Sequence, residues 1–218
     1  MPGAFDATMK HLVALFSADW VAALAPLAGL PTNARLEPLD GDLSTVQPAV
    51  DKVFRFQPPH RGLLHLEAQA SWDGGFADRL LLYSVLLEHH YGGPVHTVVL
   101  LLRPEAAAPS LTGLLSRRHA DGREYHRFSY EMIRVWELSA EQLLAGGLGA
   151  AVLALLTDEA APRLPEYVKR FAERVERESP NRNTEDMLLT SSFILLGLRY
   201  DREVIRALFK GVQHMHES

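Results

Sequence analysis

Apolar positions recur at helical spacing from the start of the chain. Phe5, Met9, Leu12, Val13 and Phe16 mark one stripe of residues 5–16, and Asp6 stands in the first turn, where a negative charge suits the helix dipole. The pattern continues through Trp20, Val21 and Leu24 and stops near Pro26 and Gly29, which predicts an amphipathic opening helix. A short run from Ala34 to Pro38 reads as a first strand, followed by the turn-like DGDLST. At Val50 the period changes. VDKVFRF and LLHLEAQAS are two β-patterned runs joined by the turn-forming Gln57-Pro58-Pro59-His60-Arg61-Gly62. In the second run His65, Glu67 and Gln69 alternate with Leu64, Leu66, Ala68 and Ala70, so a strand puts three polar groups on one face and apolar groups on the other.

Trp72-Asp73-Gly74-Gly75 then breaks the pattern and offers an N-cap for a helix. Its stripe is Phe76, Leu80, Tyr83, Leu87 and Tyr91, and Gly92-Gly93-Pro94 ends it. Residues 96–103 contain VVLLL between Pro94 and Pro104, a strand-length apolar run suited to burial on both faces. Asp121-Gly122 predicts a hairpin turn, and FSYEMIRVWEL reads as further strand. Gly146-Gly147-Leu148-Gly149 follows the helix-like AEQLLA and lacks a Lys-Ser/Thr ending, so it reads as helix termination in preference to a phosphate loop. The rest is helical in pattern. Residues 163–178 are charged almost all round, with Tyr167, Val168 and Phe171 as apolar contact; a broadly apolar helix starts at Thr184-Glu185-Asp186; and Asp201 caps a last helix with inner face Val204, Ile205, Leu208, Phe209 and Val212.

At 218 residues, 47% apolar and 22% charged, the chain is an ordinary globular protein with a sizeable core. It has no cysteine, which removes disulfides, thiolate nucleophiles and cysteine zinc sites and leaves metal chemistry to carboxylates, histidines and carbonyls. No basic region followed by an apolar core opens the chain and no apolar run approaches the roughly twenty residues of a membrane span, so a cytoplasmic, membrane-free protein is expected. The net charge of −5 weighs mildly against nucleic acid, although a carboxylate metal site lowers the net charge where the ion restores it. The ten histidines show no paired ligand spacing, so a zinc hydrolase is set aside. His89-His90 read as surface residues, Trp20, Trp72 and Trp136 as core or edge anchors, and Ser44-Thr45 as a turn.

The candidate chemistry is acidic. Asp51 opens the strand before Glu67, and two adjacent strands can bring their carboxylates together, an arrangement that suits a hard divalent cation. The same residues also read as an ordinary half-buried polar face, and His65 as a satisfied strand histidine. Arg202, Arg206 and Lys210 recur at four-residue spacing and read either as a solvated stripe or as a phosphate contact; Arg79, on the helix after the acids, has the same two readings.

The order helix, three strands, helix, strand, with an acid at the head of the second strand and Glu-x-Gln on the third, resembles the core of the PD-(D/E)XK nuclease superfamily. More narrowly, FDATMKHLV, ADWV, DLSTVQPAVDKVFRF, LLHLEAQAS, RLLLYSVLL, VVLLLRPE and the closing LFKGVQHMHES are similar to the Rpn-type recombination-promoting nuclease and transposase-like family over nearly the whole chain. The resemblance implies an α/β protein with a restriction-endonuclease-like core (αβββαβ, a mixed central sheet flanked by helices) over residues 1–145. A C-terminal helical subdomain, residues 146–218, would pack on it. The implied activity is a metal-dependent DNA endonuclease linked to recombination or mobile elements, using Mg²⁺ or Mn²⁺ on double-stranded DNA. Asp51 and Glu67 would hold the metal, Asp6 would be a further acid approaching it through water, and Gln69 would complete the catalytic set. The superfamily more often has Lys at the position of Gln69, and an amide serves neither as base nor as cation, so Gln69 would orient a water or a phosphate. Lys52 should point to the other strand face and does not replace that lysine. Arg79, Arg202, Arg206 and Lys210 would contact DNA, and a homodimer is left open. Related chains continue past the MHES-like segment, so this one would be naturally short or trimmed. The alternative is a catalytically inactive relative that serves as a DNA- or protein-binding module.

Overall fold

The computed structural model describes residues 2–29, 36–39 and 52–216, the side chains of 2–4, 6, 38 and 210–216 excepted. Contacts divide the chain into two compact units, Ala25–Ile133 and the two-segment Met1–Leu24 with Arg134–Ser218.

The first of these is built on a mixed five-stranded sheet. Its strands β1 (Leu36–Leu39), β2 (Lys52–Phe56), β3 (Leu63–Gln69), β4 (Val95–Leu101) and β7 (Glu131–Arg134) lie in that order. β1, β2 and β3 form an antiparallel meander, with Leu39 opposite Val53 and Val53 opposite His65. β4 runs parallel to β3, pairing His65 with Thr97, Glu67 with Val99 and Gln69 with Leu101. A parallel neighbour needs a crossover, and α3 (Phe76–Tyr91) supplies it between β3 and β4. α3 lays Tyr83 and Leu87 on the odd-numbered strand face against Val53 and Leu63, with Leu39, Leu86, Tyr91 and Val95 around them. Gly92, at φ 72°, ends the helix as the Gly-Gly-Pro signal predicts. The β2–β3 turn closes on Gly62, whose φ is 106° and where an added Cβ would stand 2.6 Å from the Pro94 carbonyl oxygen that accepts the Leu63 N–H. β5 (Leu114–Arg118) and β6 (Glu124–Ser129) form a separate two-stranded sheet, turning at Asp121-Gly122 as expected.

The second unit carries no strand among its described residues beyond the end of β7. Its helices are α1 (Pro2–Leu15), α2 (Ser17–Leu24), α4 (Ala140–Ala145), α5 (Leu148–Ala151), α6 (Leu164–Glu178), α7 (Arg182–Leu196) and α8 (Arg202–His216). At its centre is a tight 3₁₀ run, Val152–Leu156, buried at every position, against which α4, α6 and α7 pack. α6 buries Leu164, Ala172 and Val175 besides the expected Tyr167, Val168 and Phe171, and keeps its charges outward.

Several expectations are corrected. The opening helix breaks at Phe16, although Phe16 N–H to Leu12 O (3.0 Å) and Trp20 N–H to Phe16 O (3.1 Å) carry its hydrogen bonding across. Gly149, distant in sequence, packs against this point so closely that a Cβ there would lie 1.9 Å from the Phe16 Cβ. FSYEMIRVWEL is two strands with Tyr130 between them, and its Val135–Glu137 end is a 3₁₀ turn. Val204, expected on the inner face of the last helix, is exposed, whereas Ile205 is buried.

Candidate functional site

β3 sits between β2 and β4, and its odd-numbered face carries Leu63, His65, Glu67 and Gln69 in succession. Leu63 belongs to the apolar cluster under α3, so the polar residues extend that covered face toward the end of the strand. His65 is wholly buried and Glu67 retains 7% exposure. A buried carboxylate and imidazole need partners, and they supply each other: His65 Nε2 lies 3.1 Å from Glu67 Oε1 and His65 Nδ1 3.4 Å from Thr97 Oγ1. Both ring nitrogens of His65 thus face a hydrogen-bonding oxygen, one of a carboxylate and one of a hydroxyl. Thr97, opposite His65 on β4, is itself buried. The Tyr83 ring meets the imidazole edge-on at 5.9 Å, closing the arrangement from α3.

Gln69, half-buried at the end of β3, donates its side-chain N–H to the Ser71 carbonyl. Beyond it the β3–α3 loop is fastened by Asp73, which accepts the Gly75 N–H at 3.0 Å and is bound by the Arg79 guanidinium. The Arg79 bond, followed by the Gly75 N–H, holds the Asp73 carboxyl below its usual range. For Arg79, burial opposes the charge, and the bond to Asp73, with smaller contributions from Tyr83 and Glu67, raises its pKa nonetheless. Arg79 also lies over the Phe76 ring, 5.2 Å from its centroid. Its place is therefore an ion pair at the head of α3, within electrostatic reach of Glu67.

Of the residues expected to act together, Glu67, Gln69 and Arg79 belong to the sheet unit. Asp51 lies outside the described residues, as does the side chain of Asp6 on α1. Arg202 and Arg206 are exposed one turn apart on α8, and the Lys210 side chain lies outside the described set. Among the described residues no group of three or more His, Asp or Glu side chains is arranged to hold a metal ion. Asp73 was named in the sequence only within the Trp72–Gly75 break that offers an N-cap, and Thr97 was not singled out, because its place depends on the β3–β4 register.

The glycine-rich segment reads as helix termination, as expected. Gly146 N–H bonds back to Gln142 and Leu143, and Asp19 accepts the Gly149 N–H at 2.9 Å, so a carboxylate from the chain itself already occupies the start of α5.

No family model matches the chain, and neither the curated proteins nor the solved structures include a significant match.

Proposed function

We propose that this chain is a metal-dependent endonuclease of duplex DNA, with a restriction-endonuclease-like core of the PD-(D/E)XK kind, related to the Rpn-type family its sequence resembles. The observation that carries the reading is Glu67, a carboxylate buried to 7% exposure on an interior strand and held from behind by the wholly buried His65. The connectivity supports it: a three-strand antiparallel meander followed by a helical crossover to a parallel strand is the order expected of such a core. The donor set is of the right kind for a hard cation, a carboxylate and an amide oxygen without sulfur. Bound there, Mg²⁺ would make a coordinated water more acidic beside the scissile phosphate.

The protein's own groups orient and hold. His65 fixes the plane of the Glu67 carboxylate through its 3.1 Å hydrogen bond. Gln69, with its NH₂ engaged on Ser71, has its amide oxygen to offer to a water. Arg79 contributes positive charge near Glu67, against which a phosphate can be drawn. The reading requires Asp51 as the second carboxylate.

The second reading, an inactive relative that binds DNA or protein, is favoured by Gln69 in place of the cationic lysine. Calorimetric titration with Mg²⁺ separates the two. One binding event, lost in both Glu67→Ala and Asp51→Ala, is expected of the nuclease; no binding, or binding that both variants retain, favours the inactive relative.

A further inference from the structure

Residues 114–129 differ in charge from the rest of the chain. They carry Arg117, Arg118, Arg123 and Arg127 against Asp121 and Glu124, a formal excess of two positive charges in a protein of net −5, and His119 and His126 besides. Every cation among them is arginine, whose planar fork matches phosphate oxygens two at a time. The segment is the β5–β6 ribbon, a sheet of its own, turned at Gly122 with φ 85°. At its base Tyr130 N–H bonds to the Gly113 carbonyl at 2.9 Å, and nearer the turn Arg117 pairs with Asp78 on α3 at 2.6 Å. Its other arginines are held out: the side chains of Arg118, Arg123 and Arg127 are 62%, 81% and 66% exposed.

Those three have ion-pair partners from within the ribbon. Arg118 and Arg127 share a single carboxylate, Glu124, each at 3.8 Å, and Arg123 lies 2.7 Å from Asp121 at the tip. Exposed pairs of this kind hold weakly and yield to a stronger anion. Tyr125, more than half exposed, lies beside His119 with ring centroids 4.6 Å apart, giving the ribbon an aromatic surface near its tip.

We propose that the Leu114–Ser129 hairpin is the arm by which this protein grips duplex DNA, with Arg118, Arg123 and Arg127 on phosphates and the ribbon lying in the major groove. The proposal rests on the reading above that DNA is the substrate, and it names the binding surface that reading lacks. The dimensions agree. The major groove is about 12 Å wide and 8.5 Å deep and admits a two-stranded ribbon. Strands of five and six residues extend roughly 16–20 Å. Arginines on both strands and at the tip can reach the backbones on either side of the groove, which gives sequence-independent affinity.

The test is binding of a short labelled duplex to the full chain, without divalent metal, across about 50 to 200 mM salt. Each phosphate contact adds roughly 0.9 to the slope of log affinity against log salt. Arg118→Gln, Arg123→Gln and Arg127→Gln together are expected to weaken binding at least tenfold and to reduce that slope by about 2 to 3. Arg123→Gln alone, at the exposed tip, should reduce it by about 1. Glu124→Gln, which removes the acid between two arginines, is expected to tighten binding severalfold, a gain that a folding defect does not produce. Unchanged affinity and slope in the triple variant, no duplex binding by the wild type, or preference for an acidic peptide or single-stranded RNA would each overturn the proposal. Plasmid cleavage by the wild type in Mg²⁺ or Mn²⁺ distinguishes this from failure of the nuclease reading: duplex binding that the arginine variants weaken, with no cleavage in either metal, upholds the arm and overturns the nuclease.

Discussion

Glu67 and His65 hold each other in place. The imidazole is inaccessible and both its nitrogens are engaged, Nε2 with Glu67 and Nδ1 with Thr97. Removing it takes one hydrogen bond from a buried carboxylate and leaves a cavity beneath Tyr83. Loss of one partner to a buried polar group costs about 1–3 kcal/mol, and charged groups lie at the upper end. His65→Ala is thus expected to lower unfolding free energy by about 3 kcal/mol in a urea melt. Thr97→Val, which removes only the contact to Nδ1, should cost roughly 1 kcal/mol. Equal effects would mean that the Glu67 contact contributes little. The sequence put His65, Glu67 and Gln69 on one face because strand alternation is local. It could not supply Thr97, which is opposite His65 only through a parallel pairing across α3.

At the scale of elements, local signals worked where the chain's own chemistry sets the boundary. α3 ends at Tyr91 because glycine and proline follow, and β5–β6 turns at Asp121-Gly122 for a similar reason. They gave no sign of the boundary between α1 and α2 at Phe16, where the distant Gly149 packs closely. The Gly62 turn shows a close approach that tolerates no side chain. Gly62→Ala combines a positive φ with a Cβ 2.6 Å from the Pro94 oxygen, and a loss of about 1–3 kcal/mol is expected by chemical denaturation. In the helical unit, Glu141 ties α4 to α6. Its carboxyl is held at about 2, chiefly by hydrogen bonds from Arg170 and Tyr167. A folded pKa below the unfolded value, roughly 4.3, stabilises the protein above that pH and is lost as pH falls toward 2. Glu141→Gln should therefore be less stable than the wild type near neutrality, and the difference should shrink as pH falls from 5 to 2 in thermal melts.

For the whole molecule, the pattern of helices and strands was legible and the grouping was not. The N-terminal helices belong with the C-terminal ones: α1 packs on α5 and α7, and α2 on α5, contacts spanning more than a hundred residues that no local pattern announces. The sheet unit is thus enclosed in sequence by two halves of a helical one. A chain ending at residue 145 would leave α1, α2 and α4 without the Leu148–Leu156 run and α7 that cover them. It is expected to lose helical signal beyond the missing residues and to unfold without a cooperative transition, as circular dichroism would record. Retention of a sharp transition would show that residues 1–145 fold on their own, as the expected division at 145/146 requires.

The central claim rests on the acid held by His65, and plasmid cleavage tests it most directly. Supercoiled DNA is incubated with the purified wild type, Glu67→Ala and Asp51→Ala in Mg²⁺ or Mn²⁺. Nicking and linearisation by the wild type, reduced at least a hundredfold in both variants and abolished by chelation, is the expected result, the size being that of losing groups that act on the transition state. Cleavage unchanged by either substitution, or absent with every metal, would contradict it.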